Sequence, residues 1–383
     1  MIPYGRQSIN PDDIKAVSTI LQSDFLTQGP TVPLFEEKVS VFCNAEYGVA
    51  TNSATSALHI ACIALDVGPG DLVWTSPVTF VASANCAIYC GADIDFVDID
   101  PKSYNMSIEN LQRKLEKAET DGRLPKVVIP VHLAGQSCDM QAIALLASKY
   151  GFKIIEDASH AIGAEYLGER VGNCVYSDIT VFSFHPVKII TTGEGGMAVT
   201  NNSTLAERMR RLRSHGITRE LAQMQYPNEE AWYYEQIELG YNYRLTDIAA
   251  GLGCSQLNQI ESFLKARQLI FDRYDNSLAD QRIAAPWQDP RSKSSNHLYI
   301  IRLKTARSAI FKQLRKNDIQ VNLHYIPIYR QPYFEKMGFD PVDFPNSELY
   351  YSTAISLPIF PGLTIDQQEY VTSHLLMALE KYS

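Results

Sequence analysis

The stretch SFHPVKIITTGEGG, residues 183–196, contains the first residue type that is out of place for its surroundings and able to do chemistry. Lys188 stands among Val187, Ile189 and Ile190, just before Gly193, Gly195 and Gly196. In an apolar setting its amine loses affinity for a proton and becomes a nucleophile for carbonyl carbon. Upstream, FKIIEDASHA puts Asp157 at the end of an apolar run, with His160 three residues later. A carboxylate there is costly unless an arginine, a helix N-terminus or a protonated heterocyclic nitrogen faces it. Further upstream, TNSATSALHIACIAL (51–65) places Asn52, Ser53, Thr55 and Ser56 at the start of an amphipathic helix. Free backbone N–H groups and small hydroxyls at such a start form a natural phosphate cradle.

Each feature alone has a plain structural reading: a snorkelling lysine, a buried polar network, an N-cap. Together, an imine-forming lysine, a carboxylate for a ring nitrogen and a phosphate cradle are what pyridoxal 5'-phosphate requires. The glycines after Lys188 let the backbone turn tightly beside a bulky ligand.

The elements that must position these groups can be read from the pattern. INPDDIKAVSTILQS predicts a helix capped by Asn10, with Pro11 at its first position and two acids in its first turn. LVWTSP, KVVIPVH (126–132), FKIIED (152–157), DITVFSF (178–184) and MAVTNN (197–202) read as strands, with helices near 79–89 and 139–150. Near-continuous apolar strands alternating with helices predict an α/β architecture, a mostly parallel sheet covered on both faces. Ligands of such sheets bind beyond the carboxyl ends of the strands. The long helical stretch from Thr246 to Asp280 bridges to a smaller C-terminal α/β unit, where HLYIIRLK, QVNLHYI and ISLPIF read as strands. The expected organisation is a large cofactor-binding domain, 1–254, followed by a connecting helix and small domain, 255–383. Residues 219–236, rich in Glu, Gln and Tyr, read as an exposed excursion.

The 383 residues carry a net charge of −9, which argues against a nucleic-acid surface. No apolar run approaches the length of a membrane span, and the N-terminus lacks a signal-peptide pattern. Seven cysteines, scattered and without a CxxC, read as buried small hydrophobes of a reduced, cytoplasmic protein. No metal site is expected.

TNSATSALHIA, SPVTFVAS, VHLAGQ, EDASHAIG, FSFHPVKIITTGEGG, RSHG and GYNYRLTDIAAGLG resemble, in order, the sugar aminotransferases of the DegT/DnrJ/EryC1/StrS type over essentially the whole chain. SSNHLY, HYIPIY, TSPVTF and SFHPVK resemble the branch of that family serving pseudaminic acid biosynthesis. The resemblance implies the pyridoxal-phosphate-dependent transferase fold (aspartate aminotransferase type I) and a homodimer with shared active sites. It gives Lys188 the Schiff base with the cofactor and the proton transfers, and Asp157 the pyridine nitrogen. His160 falls beside the ring hydroxyl and Phe80 against the ring face. Ala54, Thr55 and Ser183 contact the phosphate, and Asn242 reaches it from the partner subunit. For the nucleotide sugar it points to Tyr4, Asp24, Phe25, Leu26, Thr27, Arg244, Leu323, His324, Tyr325 and Ile326. The implied reaction moves an amino group from L-glutamate to C4 of a UDP-linked 4-keto-6-deoxy-2-acetamido sugar; the alternative is another UDP- or dTDP-linked 3- or 4-keto sugar. Sugar 3-dehydratases on the same fold carry histidine in place of the lysine, so Lys188 argues against them.

Overall fold

The computed structural model describes residues 1–228 and 230–382. Helix α1 (Pro11–Leu21) starts where the sequence predicts. Asn10 accepts from the amides of Asp12 and Asp13, Asp13 accepts from the Asn10 N–H, and Pro11 opens the first turn. Asp13 is buried and also accepts from Gln256 Nε2 at 2.7 Å and Gln259 Nε2 at 3.2 Å.

After α2 (Thr31–Cys43) come β1 (Tyr47–Thr51), α3 (Ala54–Ala64), β2 (Leu72–Thr75), α4 (Ala82–Tyr89), β3 (Asp93–Phe96) and α5 (Ile108–Thr120). The series continues with β4 (Val127–Ile129), α6 (Met140–Tyr150), β5 (Lys153–Asp157), β6 (Ile179–Ser183), β7 (Gly196–Thr200) and α7 (Ser203–Leu212). The seven strands form one sheet in the order β1-β7-β6-β5-β4-β2-β3. β2, β3, β4, β5 and β6 pair in parallel, and β7 runs antiparallel to both β1 and β6. Successive residues bury opposite faces. Val73, Ile129 and Ile155 pack with α3, α4 and α7, whereas Trp74, Val128 and Ile154 pack with α5 and α6. Burial on both faces explains why these strands read as continuous apolar runs.

The predicted long helical stretch is two helices, α8 (Asp247–Leu257) and α9 (Ile260–Ser277). The break falls where the Gln259 side chain turns to Asn10 (2.7 Å) and Asp13, so the contact with α1 redirects the chain. The C-terminal part adds β8 (Ile283–Ala284), β9 (Tyr299–Leu303), α10 (Arg307–Lys316), β10 (Ala354–Leu357) and α11 (Ile365–Tyr382), with an antiparallel sheet ordered β8-β9-β10. QVNLHYI is not a strand. It makes a single bridge, Asn322 to Ser356, and then leaves the sheet edge to line a cavity. The chain's start belongs to this part: Ile2 bridges Ile319 and packs in the same apolar cluster. That placement sets Tyr4 against His324, ring centroids 5.1 Å apart.

Within the 219–236 excursion Tyr226 and Trp232 are largely exposed. All seven cysteines are free, five of them buried. Among the described residues no helix is long and apolar enough to cross a membrane.

Asp13→Ala takes an acceptor from the buried Gln256 amide and from the half-buried Gln259 amide and removes part of the α1 cap. It is expected to cost about 2 kcal/mol, read as a lower urea midpoint with unchanged slope.

Candidate active site

The carboxyl ends of β1, β5 and β6 converge on a cavity of about 780 Å³. Sheet register builds one wall. Gly196 of β7 pairs with Thr51 on one side and Ser183 on the other. A Cβ on Gly196 would lie 2.5 Å from the Ala54 nitrogen and from the Ser53 carbonyl carbon, so only glycine lets the start of α3 lie against β7. Ser53 caps α3, its Oγ accepting from Ser56 N–H at 3.1 Å. The amides of Ala54 and Thr55 have no acceptor among the described residues, and both residues line the cavity with Ser183. This is an anion cradle of free N–H groups at a positive helix end.

Asp157 ends β5, buried, its Oδ2 accepting from Ser83 Oγ at 2.6 Å. Its Oδ1 accepts from Ser159 Oγ at 2.5 Å and from Ser159 N–H at 3.1 Å. Hydroxyls and an amide hold it rather than an arginine, and it lines the cavity. Lys188 lines the same cavity, half-buried. Burial lowers its amine from the ordinary lysine value to about 8, with the Asp157 charge pulling weakly upward.

His160 is buried and accepts at Nδ1 from the Ala134 N–H at 3.3 Å, while Nε2 meets Tyr325 Oη at 3.1 Å. His324 bonds Ser356 Oγ through Nδ1 at 2.8 Å. Burial drives the affinity of both rings for a proton down, His160 well below the usual histidine range and His324 to about 3. The Lys188 charge adds to both shifts. Phe80 lies in the loop before α4 and lines the cavity, 57% exposed, a ring with an open face.

One cavity therefore gathers Tyr4, Ala54, Thr55, Phe80, Asp157, His160, Ser183, Lys188, Leu323, His324 and Tyr325. Ile326 does not join them; it turns outward, 42% exposed. Asp24, Phe25, Leu26 and Thr27 are exposed on another face, where Thr27 bridges Thr246 and Asp247 N–H donates to the Leu26 carbonyl. Asn242 and Arg244 just precede Thr246, the residue Thr27 bridges, and lie outside the cavity. Sequence reasoning missed Ser83 and Ser159. Both belong to motifs it used, VTFVAS and EDASHA, but only the fold brings Ser83 to Asp157.

Residues 7–376 match the model of the DegT/DnrJ/EryC1/StrS aminotransferase family. The chain belongs to this family. It is 36% identical to the UDP-4-amino-4,6-dideoxy-N-acetyl-beta-L-altrosamine transaminase of Campylobacter jejuni (strain 81-176), spanning 100% of this chain and 98% of that protein. Among solved structures it is similar to Helicobacter pylori PseC, an aminotransferase of pseudaminic acid biosynthesis, with TM-score 0.90, 30% identity and 99% of each chain covered. It is also similar to Spr1654 from Streptococcus pneumoniae in its pyridoxal phosphate form, with TM-score 0.89, 30% identity and 99% of each chain covered. The fold is that of the pyridoxal-phosphate-dependent transferases, and the aminotransferase uses this cofactor. The unclaimed amides of Ala54 and Thr55, the buried Asp157 and the desolvated Lys188 suit its phosphate, ring nitrogen and carbonyl respectively.

Gly196→Ala forces α3 away from β7 and is expected to weaken retention of pyridoxal phosphate at least about tenfold, measured by equilibrium dialysis. Because Lys188 is neutral only above its lowered pKa, imine formation by cofactor-free protein with added pyridoxal phosphate accelerates with pH. The rate, followed by visible absorbance, should inflect near about 8 rather than at 10.5.

Proposed function

We propose that this aminotransferase transfers the amino group of L-glutamate to C4 of UDP-2-acetamido-2,6-dideoxy-beta-L-arabino-hex-4-ulose. The product is UDP-4-amino-4,6-dideoxy-N-acetyl-beta-L-altrosamine, made in the cytoplasm as a step of pseudaminic acid biosynthesis. The observation that carries the reading is full-length likeness to the Campylobacter jejuni transaminase of that name, joined to a cavity holding a desolvated lysine.

Pyridoxal phosphate, when bound, supplies the electron sink that makes the carbon–hydrogen bond beside the amino group acidic. Lys188 holds it in place and, as a free amine, takes the proton from that carbon and returns it. Its lowered pKa suits both directions of transfer near neutral pH. Asp157 would hold a proton on the ring nitrogen of the cofactor. Ala54, Thr55 and Ser183 would bind its phosphate, and Phe80 and His160 would border its ring. Tyr4, Leu323, His324 and Tyr325 face the sugar.

The enzyme works as a homodimer. Support comes from exposed apolar side chains: Phe25 and Leu26, which the Thr27–Thr246 bridge brings beside the segment following Arg244, and Leu239, three residues before Asn242. On that reading the partner's copies of the Asp24–Thr27 segment, Asn242 and Arg244 complete each cavity.

Purified enzyme with glutamate and a panel of UDP- and dTDP-linked 4-keto sugars should give an amino sugar from the UDP-linked 2-acetamido substrate, detected by mass spectrometry. Product from dTDP sugars alone overturns this substrate. Lys188→Ala should reduce turnover by at least about 10³-fold, since the nucleophile and the proton carrier go together.

A further inference from the structure

Two motifs have no part in the chemistry so far, VHLAG (131–135) and SSNHL (294–298), although they lock together directly behind the cavity. Gly135 has φ +100°. A Cβ on it would lie 3.1 Å from both the His160 carbonyl oxygen and the His297 nitrogen, and would collide with the Ser295 hydroxyl. The Ser295 N–H donates to the Gly135 carbonyl at 3.1 Å and the His297 N–H to the Ala134 carbonyl at 2.9 Å. Ser295 Oγ donates to the His160 carbonyl at 2.7 Å. Arg267, fully buried in α9, fastens the second loop from behind, its Nη1 donating to the carbonyls of His297 and Ile359, each at 3.2 Å.

The clamp fixes where one proton resides. Ala134, held at φ +61°, aims its N–H at His160 Nδ1. A ring nitrogen that accepts carries no hydrogen, and a neutral imidazole then carries its hydrogen on the other nitrogen. His160 is neutral because burial opposes its charge, and Lys188 and His324 oppose it further. Nε2 is therefore the N–H, and it donates to Tyr325 Oη at 3.1 Å. One lone pair of the phenol oxygen is used, and its own hydrogen has no acceptor among the described residues. Tyr325 lines the cavity, so that hydrogen faces the ligand space. Burial, with the Asp157 charge and Tyr4 adding, raises the Tyr325 pKa, so the phenol keeps its proton at working pH.

We propose that Tyr325 is an obligate hydrogen-bond donor to an oxygen of the sugar substrate, its polarity set by the His160 tautomer that the VHLAG–SSNHL clamp imposes. The inference rests on the sugar-aminotransferase reading and names a group acting in its second half. Tyr325 belongs to the wall made by Tyr4 and residues 322–325, whereas the cradle, Asp157 and Lys188 come from other elements. A neutral donor on that wall stabilises negative charge growing on the accepted oxygen without giving up its proton. Two positions behind it are positioning residues: Ala134 through its amide, and Ser295 through its bond to the His160 backbone.

The test uses loaded enzyme and whichever keto sugar the wild type converts, so failure of the UDP assignment is seen first and separately. Tyr325→Phe should slow the sugar half-reaction, in single turnover, at least about tenfold more than the glutamate half-reaction. Equal slowing of both halves, or no slowing, overturns the proposal. A shifted visible spectrum of the loaded variant without a difference between the halves also overturns it, by assigning the acceptor to the cofactor. Independently, ¹⁵N NMR of histidine-labelled, cofactor-free protein, with His160 assigned through His160→Gln, should show hydrogen on Nε2. Hydrogen on Nδ1 overturns the mechanism whatever the kinetics.

Discussion

The structure turns on the removal of one amine from water. Lys188 follows β6 into a cavity where half-burial strips part of the solvent shell from its ammonium form, and the one carboxylate that acts on it, Asp157, is already engaged by Ser83 and Ser159. Desolvation outweighs the attraction of Asp157, so the amine is lowered to about 8. An exposed lysine would remain charged and unreactive near neutral pH. A lysine paired tightly with a carboxylate would be charged as well.

The scaffold keeps that balance by close backbone approach rather than by charge. At one end Gly196 lets α3 lie on β7, so that two unclaimed amides border the cavity beside Ser183. At the other end Gly135 lets VHLAG meet SSNHL, coupling the large sheet to the C-terminal part. Between them the buried imidazoles of His160, His297 and His324 disfavour any further positive charge, since burial and Lys188 lower all three. This suits a site that receives a phosphate through backbone dipoles and holds down the proton affinity of its lysine.

What was legible in the sequence follows from how locally each feature is determined. The α1 cap, five of the seven strands of the large sheet and the Lys188 loop depend on neighbours within a few residues, and they appear where the pattern puts them; β1 and β3 were not read from the pattern. Most groups lining the cavity were legible because strand ends in a parallel sheet converge. The path of residues 320–326 was not. Its alternation resembles a strand, but the fastening of Ile2 to Ile319 and the demands of the cavity wall draw it off the sheet edge. The break between α8 and α9 was equally hidden, because its cause, Gln259 turning to Asn10 and Asp13, spans most of the chain. Ser83 beside Asp157 and the Ala134 amide beside His160 are likewise products of tertiary closeness. The lysine motif could be read directly, whereas the proton direction at Tyr325 required coordinates.

The account is tested most directly by trapping the cofactor on the protein. Borohydride reduction of the loaded enzyme, followed by proteolysis and peptide mass spectrometry, locates the amine that bears the cofactor. The account predicts one modified peptide, carrying the added mass on Lys188. Modification of a different lysine, or a loaded enzyme with none, would contradict it.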